Sequence, residues 1–246
     1  MTSGRLFDRA IIRITPQDEK EDAAAFLQGL VTNDVSGDLP VWAGLLSPQG
    51  KTLFDFFVWQ GPGDSLLIDC EQAAADDLAK RLSLYRLRRK LTIERDPALV
   101  VFWSAEREDG ATPDPRLPDL GWRRVGEAEG GERDVSDPYR QHRLSCGVAE
   151  GQAEIGNILW LEANATELNG VSFSKGCYIG QENTARMNWR QKVNRRVVVV
   201  PLSRSEEKRQ KLAYPALDLA VDHLRVEAIQ PEFVPDWMRP EKPASN

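Results

Sequence analysis

Apolar positions along the chain change spacing in a way that marks its elements. Ala23, Phe26, Leu27, Leu30 and Val31 recur at three- and four-residue intervals and form one face of a helix. The preceding Thr15-Pro16 pair offers an N-cap followed by a proline suited to the first helical position. Asp18 would favour the first turn, so the start is expected at Thr15. "TNDVSGD" then ends the helix in turn formers. Two apolar runs, "AGLL" and "TLFDFFVW", flank "SPQG" and predict a hairpin. "SLLIDC" reads as a further strand after the turn "GPGD". Residues 71–87 return to a helical spacing, with Ala75, Leu78, Leu82 and Tyr85 on one side. "KLTIERD" and "ALVVFW" are strand-like, and residues 106–121, rich in Pro, Asp and Gly, read as a surface loop. A helix is expected over Asp137–Cys146, with Gly147 closing it. Residues 195–202 form a strand and 217–229 one or two more. Helices mixed with antiparallel hairpins define an α+β fold.

Composition adds limits. The 246 residues are 41% hydrophobic and 28% charged, enough for one large domain or a main domain with a small satellite. No apolar run reaches the roughly 18 residues that span a bilayer. The first residues, "MTSGRLFDRAIIRIT", mix charges among apolar positions, so no secretory signal is expected. Cys70, Cys146 and Cys177 are widely spaced with no CxxC, which fits free thiols in a reducing compartment; the cytoplasm is the expected location. The net charge of −6 disfavours nucleic acid as a partner, and no membrane partner is expected. Yet residues 78–93 carry six basic residues and no acid, and residues 183–205 are also basic without an acid. Such runs are usually solvated faces; two in an acidic chain also suit a locally positive site for an anion.

The stretch "SFSKGCYIGQENTAR", residues 172–186, concentrates the candidate chemistry. Thiolates are the reactive form of cysteine, and a nearby cation or helix N-terminus lowers the thiol pKa. Lys175 lies two positions before Cys177, and "GQENTARMNWRQ" can begin a helix just after it. Gly176 and Gly180 allow close backbone approach or a positive φ. On the residues alone, Cys177 reads either as a buried filler or as a reactive thiol at a helix mouth.

"KGCYIGQE", followed by "AR" and paired arginines, resembles the signature of the YgfZ-type folate-binding proteins, a branch related to the glycine-cleavage aminomethyltransferase, or T-protein. "FLQGLVTNDV", "LLSPQGKTLFDFFVW", "LSLYRLRRKLTIE", "YRQHRLSCGVAEG" and "LWLEANATELNGVSF" follow the family order, so the resemblance covers roughly residues 5–200. It implies an aminomethyltransferase-like fold of three subdomains around a central channel over residues 1–194. A small, shortened C-terminal β-barrel and tail would occupy 195–246, loose from about Pro235 on. It implies a protein that binds tetrahydrofolate or a related reduced folate. Its role would be to assemble or repair iron–sulfur clusters in client enzymes, with client proteins or maturation factors as partners. The motif cysteine, here Cys177 with Lys175 beside it, is the residue that family depends on.

Glu162 matches the family position near the pterin, whose adjacent N–H groups a carboxylate can accept together. Asn164 would add a polar contact or cap the turn. Arg186, Arg195 and Arg196 are candidates for the folate's anionic tail, although a strand sends Arg195 and Arg196 to opposite faces. Tyr178 and Trp189 would stack on a ring or pack into the core. His142 reads as part of a polar helix face, and Cys70 and Cys146 as structural thiols.

The alternative function is one-carbon transfer by a folate-dependent aminomethyltransferase or demethylase. T-protein relatives carry paired aspartates after the hairpin turn, where this chain has Phe54 and Asp55. Phenylalanine can neither take a proton nor stabilise a cationic iminium, which weighs against that reaction and against conventional turnover. A permanently bound cluster is not expected either, since a stable cluster needs several thiolates.

Overall fold

The computed structural model describes residues 3–190 and 193–239, the side chain of residue 190 excepted. The first half of the chain lays out β1 (Ser3–Arg5), β2 (Arg9–Pro16), α1 (Ala23–Gln28), β3 (Val41–Leu46), β4 (Thr52–Gln60), β5 (Leu66–Glu71), α2 (Ala75–Arg86), β6 (Leu91–Arg95) and β7 (Leu99–Ser104). There follow β8 (Thr112–Pro113), β9 (Trp122–Glu127), α3 (Ser136–Ser145), α4 (Gln152–Ile155), α5 (Gln181–Arg190), β10 (Arg195–Pro201), β11 (Gln210–Tyr214) and β12 (Leu219–Arg225). They build three antiparallel sheets, ordered β3-β4-β5-β2-β6, β1-β7-β9-β8 and β10-β12-β11.

The period-two alternation of the strands divides the molecule at the five-stranded sheet. Ala10, Ile12 and Ile14 of β2, Phe56 and Val58 of β4, and Leu66 and Ile68 of β5 face α1 and α2 and close one core. Ile11, Phe57, Trp59 and Leu67 point the other way, into a larger core with Trp42, Trp103, Tyr139 and Trp160. Val197 and Val221 of the third sheet belong to that larger core as well. Among the described residues the third sheet is open and has three strands.

Several elements depart from the sequence reading. Thr15 and Pro16 do not start a helix; they end β2, paired with Thr92 and Leu91 of β6. Proline is tolerated there because the ladder ends with it. Asp22 caps α1 instead, its carboxylate accepting from the Ala24 and Ala25 amides at 2.8 and 3.0 Å. The helix expected at Asp137 begins at Ser136, and Gly147, at φ +76°, ends it as foreseen. The Val148 amide reaches the Arg143 carbonyl and the Gly147 amide that of Leu144, a Schellman closure. Residues 106–121 are not simply a surface loop, since Asp114 and Arg116 are buried. The loose tail expected from Pro235 is anchored at its start: Met238 is buried and the Trp237 indole donates to the Cys146 carbonyl at 2.8 Å. Residues 240–246 lie outside the described part.

Candidate functional site

The motif loop is held at both ends. Upstream, the Gly170 carbonyl accepts from the Thr32 hydroxyl at 2.7 Å and the Trp160 indole at 2.9 Å. The Ser172 amide donates to the Thr32 carbonyl at 3.0 Å. The Lys175 ammonium then reaches away from the loop. It donates to the carbonyls of Gln28, Val31 and Asn33 at 2.7, 2.5 and 2.9 Å, just past the end of α1. An ammonium has three donors, so all are spent on backbone. Burial pushes this ammonium down to about 8, against the pull of Asp34.

Downstream, Gly180 at φ +81° lies against the turn of the β3–β4 hairpin. A Cβ there would stand 2.5 Å from the Ser47 carbonyl oxygen. The Asn183 side chain donates to the Gln49 carbonyl in the same turn at 2.6 Å. Tyr178 is buried, with the Lys175 ammonium 5.2 Å from its ring centre. Between these anchors Cys177 is exposed to solvent. It does not sit at the mouth of a helix, because α5 begins four residues later at Gln181. The loop therefore presents a reachable thiol from a fixed backbone, with no lysine hydrogen bond spent on it.

The other two thiols differ. Cys70 is buried and pushed up to about 12 by burial. Cys146 is half-buried, and burial raises it too.

The residues nominated for the folate contact other parts of the protein. The Glu162 carboxylate lies 3.0 Å from His223 Nε2 of β12. The Asn164 amide, buried and left-handed at φ +62°, donates to the Val197 carbonyl at 2.8 Å and accepts from Arg196 at 3.0 Å. Both residues thus dock the third sheet. Arg196 also pairs with Glu167 at 2.6 Å. Arg186 is exposed on α5, Arg195 is half-buried on β10, and Trp189 is 86% exposed and not part of a core. His142 Nε2 lies 2.7 Å from the Asp119 carbonyl oxygen on a polar face, as read from the sequence.

The most concentrated chemistry was missed from sequence. Arg9, Arg116 and Arg123 interlock with Asp69, Asp114 and Glu150 in the larger core. The contacts are Arg9–Asp69 at 2.6 Å, Arg116–Asp114 at 2.8 Å, Arg116–Glu150 at 2.6 Å and Arg123–Asp69 at 2.9 Å. The Tyr139 hydroxyl accepts from Arg123 at 2.5 Å and donates to Glu150 at 2.7 Å. Phe57 lies under Arg123 and Arg116, with its ring centre 4.2 and 4.7 Å from the guanidinium carbons. Burial opposes the charges, but opposite partners win: Arg9, Arg116 and Arg123 are raised, and Asp114 and Glu150 are held below the usual carboxylate range. The available signal was an inward charge on an apolar strand, Arg9 in "RAIIRI" and Asp69 in "SLLIDC". The loop residues Asp114 and Arg116 carry no such signal.

Beside this network opens a cleft of about 430 Å³, lined by Glu71, Arg140, Arg143, Glu150, Glu154 and Tyr214 among others. Neither Cys177 nor Glu162 lines it. Behind it Asp55 is buried, accepting from the Gly151 amide at 3.1 Å and the Trp42 indole at 3.2 Å. Burial first, then the charges of Glu150 and Glu71, push Asp55 up to about 7.

No family model matches the chain. Among solved structures, the glycine cleavage system aminomethyltransferase T of Bartonella henselae superposes at a TM-score of 0.54. The match covers 91% of this chain and 78% of that one, at 11% identity. The fold is aminomethyltransferase-like. Among curated proteins, the chain is 34% identical over 242 residues to the "Iron-sulfur cluster assembly factor IBA57, mitochondrial" of Mus musculus and 37% over 222 residues to that of Homo sapiens. It is 32% identical over 215 residues to the corresponding Neurospora crassa homologue. The matches take in 82%, 74% and 72% of this chain. Along most of its own length the chain is thus similar in sequence to IBA57 proteins, and its fold is that of the aminomethyltransferase. It spans 66%, 61% and 49% of those three relatives, less than two thirds of each.

The expected cytoplasmic location is overturned, since these relatives are named as mitochondrial. Free thiols separate a reducing from an oxidising environment; they do not separate one reducing compartment from another.

Proposed function

We propose that this chain supports the assembly or repair of iron–sulfur clusters in client enzymes, with Cys177 as its working thiol. The observation that carries the reading is the exposed Cys177 on a loop fixed at both ends, in a chain similar to IBA57 proteins. A thiolate is a soft ligand suited to iron and to sulfur exchange. Among the described residues no cluster of three or more His, Cys, Asp or Glu could hold a metal. A cluster passing through is cargo, and its remaining ligands come from a client or maturation partner.

The reduced folate is proposed as the ligand of the 430 Å³ cleft, not of the set around Glu162. Glu71 supplies a carboxylate acceptor of the kind a pterin edge needs, Tyr214 an aromatic face, and Arg140 a cation for the anionic tail. No chemical step is assigned to the folate. Aminomethyl transfer fits less well: Phe54 replaces one carboxylate, and Asp55 is walled in by Trp42 and Gly151.

Two measurements test this reading. Cys177→Ala is expected to fold normally yet fail to restore client iron–sulfur enzymes in cells lacking the protein; full restoration would refute the thiol's role. Titration with tetrahydrofolate, followed by tryptophan fluorescence, is expected to show binding that Glu71→Gln weakens and Glu162→Gln leaves unchanged. The reverse order would return the ligand to the Glu162 region.

A further inference from the structure

The tip of α2 is a charged and apolar projection that neither the cleft nor the motif loop uses. Ala75, Leu78 and Leu82 turn inward, so the opposite face of the helix looks to solvent. That outward face carries Lys80, Arg81 and Leu84, and the turn beyond it adds Leu87 and Arg88. Leu84 is 62% and Leu87 85% exposed, among the few large apolar side chains left so open among the described residues. Leu87 also holds a positive φ of 52° with ψ −114°, a conformation that costs a residue with a Cβ.

The charges around these leucines are mainly positive, and three of the cations are uncommitted. Residues 78–93 carry six basic residues and no acid in a chain of net charge −6. Arg89 and Lys90 are used by Glu21 and Asp18, and Arg86 reaches the Leu91 carbonyl. Lys80, Arg81 and Arg88 have no ion pair among the described residues. Asp77, one turn nearer the start of α2, is the acid on the same face.

We infer that this tip docks on an anionic lipid surface. A protruding turn bearing two leucines, ringed by free cations, matches a negatively charged plane that the leucines enter while the cations remain among headgroups. No helix of the described residues is long and apolar enough to cross a membrane, so the contact is peripheral. A protein partner would need a concave acidic seat for the same projection; a lipid surface needs none. Apolar and electrostatic contributions act together, since either alone gives only weak, reversible attachment.

The test is co-sedimentation of the full chain with vesicles of phosphatidylcholine alone and with vesicles that include phosphatidylglycerol. The chain is expected to pellet with the anionic vesicles only, and to be released by added salt. Reversing Lys80, Arg81 and Arg88 to glutamate is expected to lower partitioning by roughly 100-fold or more. Leu87→Gly suits the positive φ, so it removes the apolar side chain without straining the fold; it is expected to lower partitioning several-fold with unchanged urea unfolding. Absence of binding to anionic vesicles at low salt, or binding that survives both sets of substitutions, would overturn the inference. Tip-dependent binding of polyglutamate without vesicle binding would overturn it too, in favour of an acidic protein.

Discussion

The Lys175 ammonium donates to the Val31 carbonyl at 2.5 Å, across 144 positions of sequence. The lysine two residues before Cys177 is therefore a strut to the end of α1, not a hydrogen-bond partner of the thiol. Replacing it with methionine leaves the Gln28, Val31 and Asn33 carbonyls short of a charged donor. A loss of about 2–4 kcal/mol is expected in urea unfolding. The rate of Cys177 alkylation should be unchanged in the folded variant, and a large change in that rate would mean that the lysine acts on the thiol directly.

Gly180 tests whether the fixed loop matters. Alanine there must leave a φ of +81° and stand against the Ser47 carbonyl oxygen at 2.5 Å. The loop must then shift away from the hairpin turn. We expect Gly180→Ala to cost about 1–3 kcal/mol and to impair client-enzyme maturation, although Cys177 is still present. Gly176, whose Cβ would meet nothing within 4 Å, is the control, and its alanine variant should mature clients normally.

The buried charge network makes a separate prediction. Arg116→Met removes one of the cations that Asp114 and Glu150 share in the core. Arg123 is left to Asp114 and Arg9 to Glu150, so three buried carboxylates face two guanidinium groups. A loss of about 3–5 kcal/mol is expected, read as a lower urea midpoint. Both carboxylates titrate below their ordinary values in the fold, so their contribution is full above the unfolded carboxylate range. It is lost as pH falls through their folded values. Wild type should therefore lose its advantage over Arg116→Met on acidification.

Asp55 carries the opposite sign. Its folded value of about 7 lies above the unfolded value of about 4, so between them the folded state holds the extra proton. Its neutral form is stabilising below that window, and the benefit fades as pH rises towards about 7, by up to about 4 kcal/mol. Asp55→Asn cannot ionise. The stability of wild type relative to this variant should fall between about pH 4 and 7 in urea titrations. A flat difference would show that Asp55 is ionised throughout.

What was legible in the sequence was local. The hairpin around "SPQG", the strand "SLLIDC", the apolar stripe of α2 and the glycine stop after α3 follow from spacing and turn chemistry among near neighbours. Tertiary pairing overrode a local signal at Thr15-Pro16, where the β6 partner strand drew in residues that resemble a helix start.

The sequence by itself determined the class of fold, the family resemblance, and which cysteine stands in the motif that carries it, because these rest on residue order and short-range periodicity. Only the tertiary structure decided what the charged residues do. A carboxylate or an ammonium takes its role from the partners it meets after folding, and those lie far off along the chain: His223 for Glu162, Val31 for Lys175, Arg116 for Glu150. No spacing rule carries that information, since burial and opposite charge act through distance in space rather than along the chain.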